Sequence, residues 1–432
     1  MNNLPEEIKQ LINNICDLST LFKLSQTSKD NLKTYQQLIF IKYEINYEDE
    51  LIFYNINQST KIKNINEITD EEIKNLTNLT TLNLEDNKTI TDKGIKNLTN
   101  LVTLNLENNN KITNEGIKNL TNLISLSLGY NKNITDEGIK NLTNLTTLNL
   151  SYNTKITNNG IKNLTNLINL NLENNTNITD EGIKNLINLT NLNLSHDKNI
   201  TDEGIKHLTN LTSLRLHNTT ITDEGIKNLI NLTLLDVSYN KNITNEGIKN
   251  LINLTSLDLN YNTKITDEGI KNLINLTNLN LNYNKNITNE GIKNLINLTN
   301  LNLNYNKNIT NEGIKHLTNL TSLSLYNNTN ITDEELKCLI KLTKLELNAN
   351  TNITDEGIKN LTNLTDLSIF KNKNITDEGI KNLTNLICLH INKKITNKGI
   401  KYLTKLTTLY LNNNTNIITR KLKHRMNIID AI

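Results

Sequence analysis

The hydrophobic positions of this chain recur with a fixed period. Leucine and isoleucine return to the same places in successive stretches of 22 residues, and the phrase Ile-Thr followed by Asp or Asn begins at Ile68, Ile90, Ile112, Ile134, Ile156, Ile178 and Ile200. A 21-residue step leads to Ile221, the period of 22 then runs to Ile375, and a 20-residue step ends at Ile395, giving sixteen units. Each unit holds a segment of the form LxxLxLxxN, such as LTTLNLEDN (79–87) or LTSLDLNYN (254–262). There apolar and polar residues alternate with period two, which predicts a strand with one face inward and one toward solvent. One short strand per unit, repeated along the chain, predicts a parallel sheet. The phrase T-D-E-G-I-K-N-L predicts a short helix. Threonine, present at all sixteen positions from Thr69 to Thr396, is a good N-cap, and an acidic residue after it suits the positive end of a helix.

The asparagine that closes LxLxxN stands where the backbone must turn inside the stack, as at Asn87, Asn131, Asn153, Asn240, Asn262, Asn284 and Asn306. Its amide can satisfy backbone donors and acceptors that stacking would otherwise bury unpaired, which predicts an asparagine ladder. Fourteen of the fifteen glycines share one slot, Gly94 to Gly399, with Glu72 and Glu335 taking that slot in two units. Glycine there is expected to permit close packing or a tight entry, and the two glutamates show that a positive φ is not required. Successive glycines stand a whole repeat apart, so they form no phosphate loop.

Taken together, these residues resemble the leucine-rich repeat. The resemblance covers residues 68–417 and implies an α/β solenoid, a horseshoe with a parallel concave sheet and short convex helices, whose general role is protein binding.

Residues 1–45 carry no repeat, and their apolar residues have helical spacing. The line LPEEIKQLINNICDLSTLFKLSQTSKDNL resembles the F-box motif at Leu4, Pro5, Glu7, Ile8, Ile12, Leu21, Phe22, Leu24, Ser28 and Lys29. It departs from that pattern at Gln26, Thr27 and Asn31. The resemblance implies a small helical domain docking on a Skp1-type linker, with Leu4, Pro5, Ile8, Ile12, Leu21 and Leu24 forming the contact or the core behind it. The other reading is a plain helical cap over the first repeat's edge, which a solenoid needs for solubility. Residues 46–67 read as a linker and N-terminal cap, and residues 418–432 as a C-terminal cap with a basic cluster at Arg420, Lys421, Lys423, His424 and Arg425.

Composition changes little of this. Apolar residues are 36% and aromatic residues 4% of the 432, thin for a globule but concentrated in the repeating slots. Lys plus Arg is 46 against 44 Asp plus Glu, which gives no reason to expect nucleic acid or an anionic membrane as partner. Cys16, Cys338 and Cys388 are odd in number and far apart, which fits a reducing compartment and no disulfide framework. The start MNNLPEEIKQ lacks the pattern of a secretory signal, and the close-set N-L-T and N-I-T triplets would leave no room for glycans. A cytoplasmic protein is expected, and the wealth of Asn, Ile and Lys points to an AT-rich coding genome. A large DNA virus or an intracellular bacterium would then place the protein in the cytoplasm or nucleus of a host.

A binding surface is expected on the concave face. A column of tyrosines lies at one edge of it, Tyr130, Tyr152, Tyr239, Tyr261, Tyr283 and Tyr305, with Tyr326 one position earlier in its unit. These read equally as a contact stripe and as a stacked structural ladder, because the 22-mers 272–293 and 294–315 are identical copies. Units that deviate from the template carry His196, Asp197, Arg215 and His217, expected to project from adjacent strands, and later Lys344, Glu346, Phe370, Lys371, His390 and Lys393. Glu85, Glu107 and Glu173 mark the first units. Residue types at His196, His217 and Asp197 would allow metal binding or acid-base chemistry, but no nucleophile accompanies them. No enzyme, cofactor or obligate homo-oligomer is therefore expected. With the F-box-like start, the chain reads as a substrate adaptor of a Skp1-cullin-F-box ubiquitin ligase, holding an unknown protein on its concave face. The alternative is a plain leucine-rich repeat scaffold or inhibitor.

Overall fold

The computed structural model describes residues 60–62, 69–417 and 426–429. The F-box-like segment 1–45, with Leu4, Pro5, Ile8, Ile12, Leu21 and Leu24, lies outside the described residues, as does the basic cluster 420–425. The chain divides into two compact units, residues 1–210 and 211–432.

In the first unit the strand Thr60–Ile62, within the stretch expected to link and cap, pairs in parallel with Leu79–Asn83. Parallel pairing then continues through Thr103–Asn105, Ser125–Ser127, Thr147–Asn149 and Asn169–Asn171 to Asn191–Asn193. The second unit runs from Ser213–Arg215 to Thr408–Tyr410, and Asn427–Ile429 adds one more parallel strand beyond it. Between strands lie single helical turns, Asp70–Ile73 and Asp267–Ile270 among them, each N-capped by the threonine of its unit. No helix among the described residues is long and apolar enough to cross a membrane.

The apolar slots are the core. Leu79, Leu82, Leu84, Ile90, Ile95 and Leu98 of the first repeat are at most 1% exposed, and their equivalents in every later repeat are buried in the same way. Register follows from this, because a shift by one residue would turn each leucine to solvent. Leu82 lies opposite Leu104 and Leu257 opposite Leu279, leucine on leucine along each sheet.

Polar groups are stacked as regularly as the leucines. Asn284 is fully buried and accepts from the backbone N–H groups of Asn286 and Ile287 through Oδ1, both at 3.0 Å, while its Nδ2 donates to the Asn262 carbonyl one repeat back, also at 3.0 Å. This is the expected ladder, and the structure adds two more. Outside the core, the Nδ2 of Asn275 donates to the Ile252 carbonyl at 2.9 Å and that of Asn286 to the Thr263 carbonyl at 2.6 Å. The same bonds recur in both units, from Asn100 to Thr77 and from Asn177 to Thr154 in the first.

A further set of bonds ties the helical turns together. Thr288 donates its N–H to Asp267 Oδ1 at 2.8 Å and its hydroxyl to Asp267 Oδ2 at 2.7 Å, leaving the hydroxyl to accept from Glu290 N–H at 3.3 Å. Where the preceding repeat carries Asn, the hydroxyl reverses its role: Asn289 Nδ2 donates to Thr310 Oγ1 at 3.0 Å, and no N-cap bond forms. A hydroxyl both donates and accepts, so the slot takes Asp or Asn without moving the backbone.

Glycine fills its slot because of this bond. No glycine has a positive φ. A Cβ on Gly269 would lie 2.6 Å from Asn245 Oδ1 and 3.1 Å from Ile265 Cγ2, too close to the atom that receives the Thr266 N–H. Glu72, in the first described turn, has no described turn before it to meet, and at Glu335 the same bonds persist, Thr332 N–H to Asn311 Oδ1 at 3.0 Å and Asn311 Nδ2 to Thr332 Oγ1 at 2.8 Å, so a Cβ enters this slot only where the turn makes room for it. Gly269→Ala should therefore lower stability by about 1–3 kcal/mol through local overpacking. Urea unfolding should show this loss, whereas the exposed Asn272→Ala in the same turn should leave the midpoint near its original value.

Candidate functional site

The thirteen residues expected on the binding face fall into three places. Only Arg215 and His390 sit on strands, at the ends of Ser213–Arg215 and Cys388–His390. Tyr130, Tyr152, His196, Tyr239, Tyr261, Tyr283, Tyr305 and Lys371 occupy one slot in the turn after the strand, all with left-handed φ between 53° and 62°. His217, Tyr326 and Phe370 precede that slot by one residue. His196 and His217 thus do not project from strands as expected. LxLxxN fixes the turn after each strand and so the left-handed slot, which asparagine takes easily, as at Asn108 and Asn327, and tyrosine does not.

Stacking accompanies the tyrosines there. Tyr130 and Tyr152 of the first unit are face to face at 4.4 Å with their planes 9° apart. In the second unit Tyr239, Tyr261, Tyr283 and Tyr305 follow at 4.5, 4.3 and 4.1 Å, His217 tilts onto one end at 5.0 Å, and Tyr326 meets the other edge-on at 4.8 Å. Stacked rings present edges and hydroxyls to solvent, not faces. Burial, with hydrogen bonds that hold the neutral hydroxyl to Tyr283 and Tyr239, pushes the Tyr261 phenol up to about 12.

The strand face of the second unit is more varied than the tyrosines suggest. Asp236 lies in register with Arg215. Its Oδ1 accepts from Ser238 Oγ at 2.5 Å, and that oxygen lies 2.6 Å from His217 Nδ1. Burial, assisted by Asp236, raises the Asp258 carboxyl, which is held by Asn260 N–H at 2.8 Å and Asn280 Nδ2 at 2.9 Å. Farther along, Lys344 is in register with Asp366, and the His390 ring stacks on Tyr410 at 3.8 Å with burial lowering its pKa. Asp236, Asp258, Asp366 and Tyr410 were not singled out in the sequence. Asp236, Asp258 and Tyr410 stand at the x position of LxL and Asp366 at the residue before it, and reading those two positions column by column would have found them. In the first unit, burial and the neighbouring Glu85 and Asp86 raise the Glu107 carboxyl.

Among the described residues no three His, Cys, Asp or Glu side chains converge to hold a metal ion. Asp197 is only 1% exposed and is turned into the ladder, its Oδ1 accepting from Asn199 and Ile200 N–H at 2.7 and 3.1 Å. Its Oδ2 is buried without a partner, at the place where Asn175 one repeat earlier puts an Nδ2 on the Asn153 carbonyl at 2.9 Å.

The leucine-rich repeat family model matches residues 75–99, 97–120, 119–142, 141–164, 207–230, 228–252, 250–274, 272–296, 294–317, 338–362 and 360–383, more than half of the chain. The chain belongs to the leucine-rich repeat family. It is similar to a leucine-rich repeat protein of Leptospira interrogans, at 31% identity and a TM-score of 0.58 over 86% of this chain and 99% of that one. It is also similar to an internalin of Listeria monocytogenes, at 31% identity and a TM-score of 0.51 over 74% of this chain and 88% of that one. A chain of the Drosophila Toll–Spätzle complex shares the fold alone, at 20% identity and a TM-score of 0.50 over 83% of this chain and 57% of that one. The comparison with curated proteins gives no match.

Burial pushes the Asp197 carboxyl up to about 6 from 3.8, against the pull of its two backbone N–H bonds. The folded chain therefore favours the protonated acid. Its contribution is fully present below the unfolded value near 3.8 and is lost as pH rises through about 6. Asp197→Asn restores the missing donor and should raise stability at pH 7 by about 1–3 kcal/mol, with a smaller gain at pH 4. Urea unfolding at both pH values measures this, and an equal gain at the two would contradict the assignment.

Proposed function

We propose that this chain is a protein-binding module whose strand face carries the recognition. The observation that carries this reading is the division of labour among side chains. Asparagine, threonine and aspartate in the turns hold the stack together, which leaves Arg215, Lys344, Glu346, Asp366 and His390 on the strands of the second unit at fixed spacing, beside Asp236 and Asp258, whose carboxylates also accept a backbone N–H of the turn that follows. Charged and aromatic groups on a rigid frame lose little entropy on binding, and that favours affinity for another protein. The internalin and the Leptospira protein, alike over most of their length, support a role as a repeat scaffold. A photo-crosslinking amino acid placed at Asn280 on the strand face should trap a partner in cells, while the same group at Lys271 on the helical turn should trap none. Equal trapping from both positions would overturn the assignment of the face.

A second, finer reading makes the module an adaptor of a Skp1-cullin-F-box ubiquitin ligase, acting in the cytoplasm. What favours it is the ordered F-box-like pattern of residues 4–29, which a plain cap does not require. In this reading Leu4, Pro5, Ile8, Ile12, Leu21 and Leu24 serve the docking on a Skp1-type linker, and the strand face brings a target's lysines near a conjugating enzyme. The full chain should then co-purify with a Skp1-type protein, and alanine at Leu4, Pro5 and Ile8 together should abolish capture while circular dichroism shows the repeats folded. Absence of capture by the unaltered chain leaves the scaffold reading alone.

A further inference from the structure

The outer asparagine ladder creates a second chemical row. Asn253, Asn275 and Asn297 donate through Nδ2 to the carbonyls of Ile230, Ile252 and Ile274 at 3.0, 2.9 and 3.0 Å. A carbonyl only accepts, so this bond fixes which end of each amide turns outward: it is Oδ1. All three residues are exposed, and among the described residues no donor reaches these oxygens. Beside each stands an isoleucine more than half exposed, Ile252 at 57%, Ile274 at 55% and Ile296 at 53%. Other repeats of the same unit carry threonine in that slot, at Thr318 and Thr362. The fold therefore does not require an aliphatic residue there.

The chain itself shows what such an amide oxygen accepts. At two later repeats the asparagine is replaced by lysine, and each ammonium reaches back to the amide oxygen of the repeat before. Lys341 Nζ lies 2.8 Å from Asn319 Oδ1, and Lys405 Nζ lies 2.8 Å from Asn385 Oδ1. Asn319 and Asn385 are accordingly half-buried, where Asn253, Asn275 and Asn297 are exposed.

We infer that the edge formed by Ile252, Ile274 and Ile296 with Asn253, Asn275 and Asn297 is a docking strip for an amphipathic helix of a partner protein, one face of which carries lysines among aliphatic residues. Lysine stems lie on the isoleucines and the ammonium groups meet the partial negative charge of the amide oxygens, as Lys341 and Lys405 do within the chain. Spacing selects a helix over a strand. Neighbouring repeats stand about 4.8 Å apart, and a helix advances about 5.4 Å per turn. Alternate residues of an extended strand are about 6.7 Å apart and fall out of step by the second contact. The strip lies in the turn before the strands, so it does not depend on the strand-face reading.

The probe is a fluorescein-labelled synthetic helix with lysines alternately three and four residues apart beside leucine, so that they stay on one face, mixed with the full chain. Fluorescence anisotropy should show saturable binding that changes little with salt, since the acceptors are neutral. The same peptide with norleucine for lysine should bind about tenfold more weakly. Ile252→Thr, Ile274→Thr and Ile296→Thr combined, each the residue other repeats carry, should also weaken binding about tenfold. Asn275→Lys should do likewise, because it removes one acceptor and covers Asn253. Circular dichroism confirms that the variants fold. The proposal is overturned if the peptide fails to bind the unaltered chain, if norleucine serves as well as lysine, if the threonine variant binds as the parent does, or if binding vanishes as salt rises.

Discussion

Each repeat has to find partners for backbone groups that its neighbours bury. A strand of three residues and one helical turn leave most of the 22 residues in turns, whose N–H and C=O groups face into the stack and away from water. Asparagine answers this because a single side chain carries both a donor and an acceptor. At Asn284 the acceptor closes the turn of its own repeat and the donor fastens it to the repeat before. The leucines fill the interior, but leucine packing alone would bury unpaired polar groups that cost about 1–3 kcal/mol each.

From this constraint comes the character of the surface. Asn and Asp at the x position of LxL share in this work, Asn280 Oδ1 accepting from Asn282 N–H at 3.1 Å and Asp258 Oδ1 from Asn260 N–H at 2.8 Å, whereas the turn after the strand varies more freely. The x positions keep Asn or Ser in most repeats, and charge gathers at Glu85 to Glu107 in the first unit and at Arg215 to Asp258 and Lys344 to His390 in the second. The ladder has its own weak point. Asp197 keeps the acceptor half of the asparagine's work and lacks the donor half, so its buried carboxyl favours the protonated form at the cost of stability near neutral pH.

Much of the architecture is legible in the chain because spacing alone encodes it. Leucine alternation gives the parallel strands, Thr-Asp gives the capped turn, and the asparagine of LxLxxN gives the buried ladder. The two outer ladders were less legible. Asn275 and Asn286 read as ordinary polar loop residues, and only the position of a carbonyl one repeat back shows what they hold. The tyrosine column was visible as a column, but its left-handed backbone was not, since nothing in an aromatic side chain signals positive φ. Stacking at 4.1–4.5 Å in the second unit shows the ladder component that the sequence left balanced against a contact role. Of the candidate surface, Arg215 and His390 stand out by their contrast with the template, whereas Asp236 and Asp258 do not, because most units already carry an aspartate in the helical turn.

The central claim is that asparagine hydrogen bonds hold the stack at least as firmly as leucine packing does. Urea unfolding of Asn284→Ala beside Leu281→Ala, two buried residues of one repeat, tests it most directly. Leucine truncation should cost about 2–5 kcal/mol. Loss of the asparagine leaves the Asn286 and Ile287 N–H groups and the Asn262 carbonyl without this partner, and should cost about 3–5 kcal/mol. A loss for Asn284→Ala clearly smaller than that for Leu281→Ala would contradict the account and return the stability of the array to its leucines.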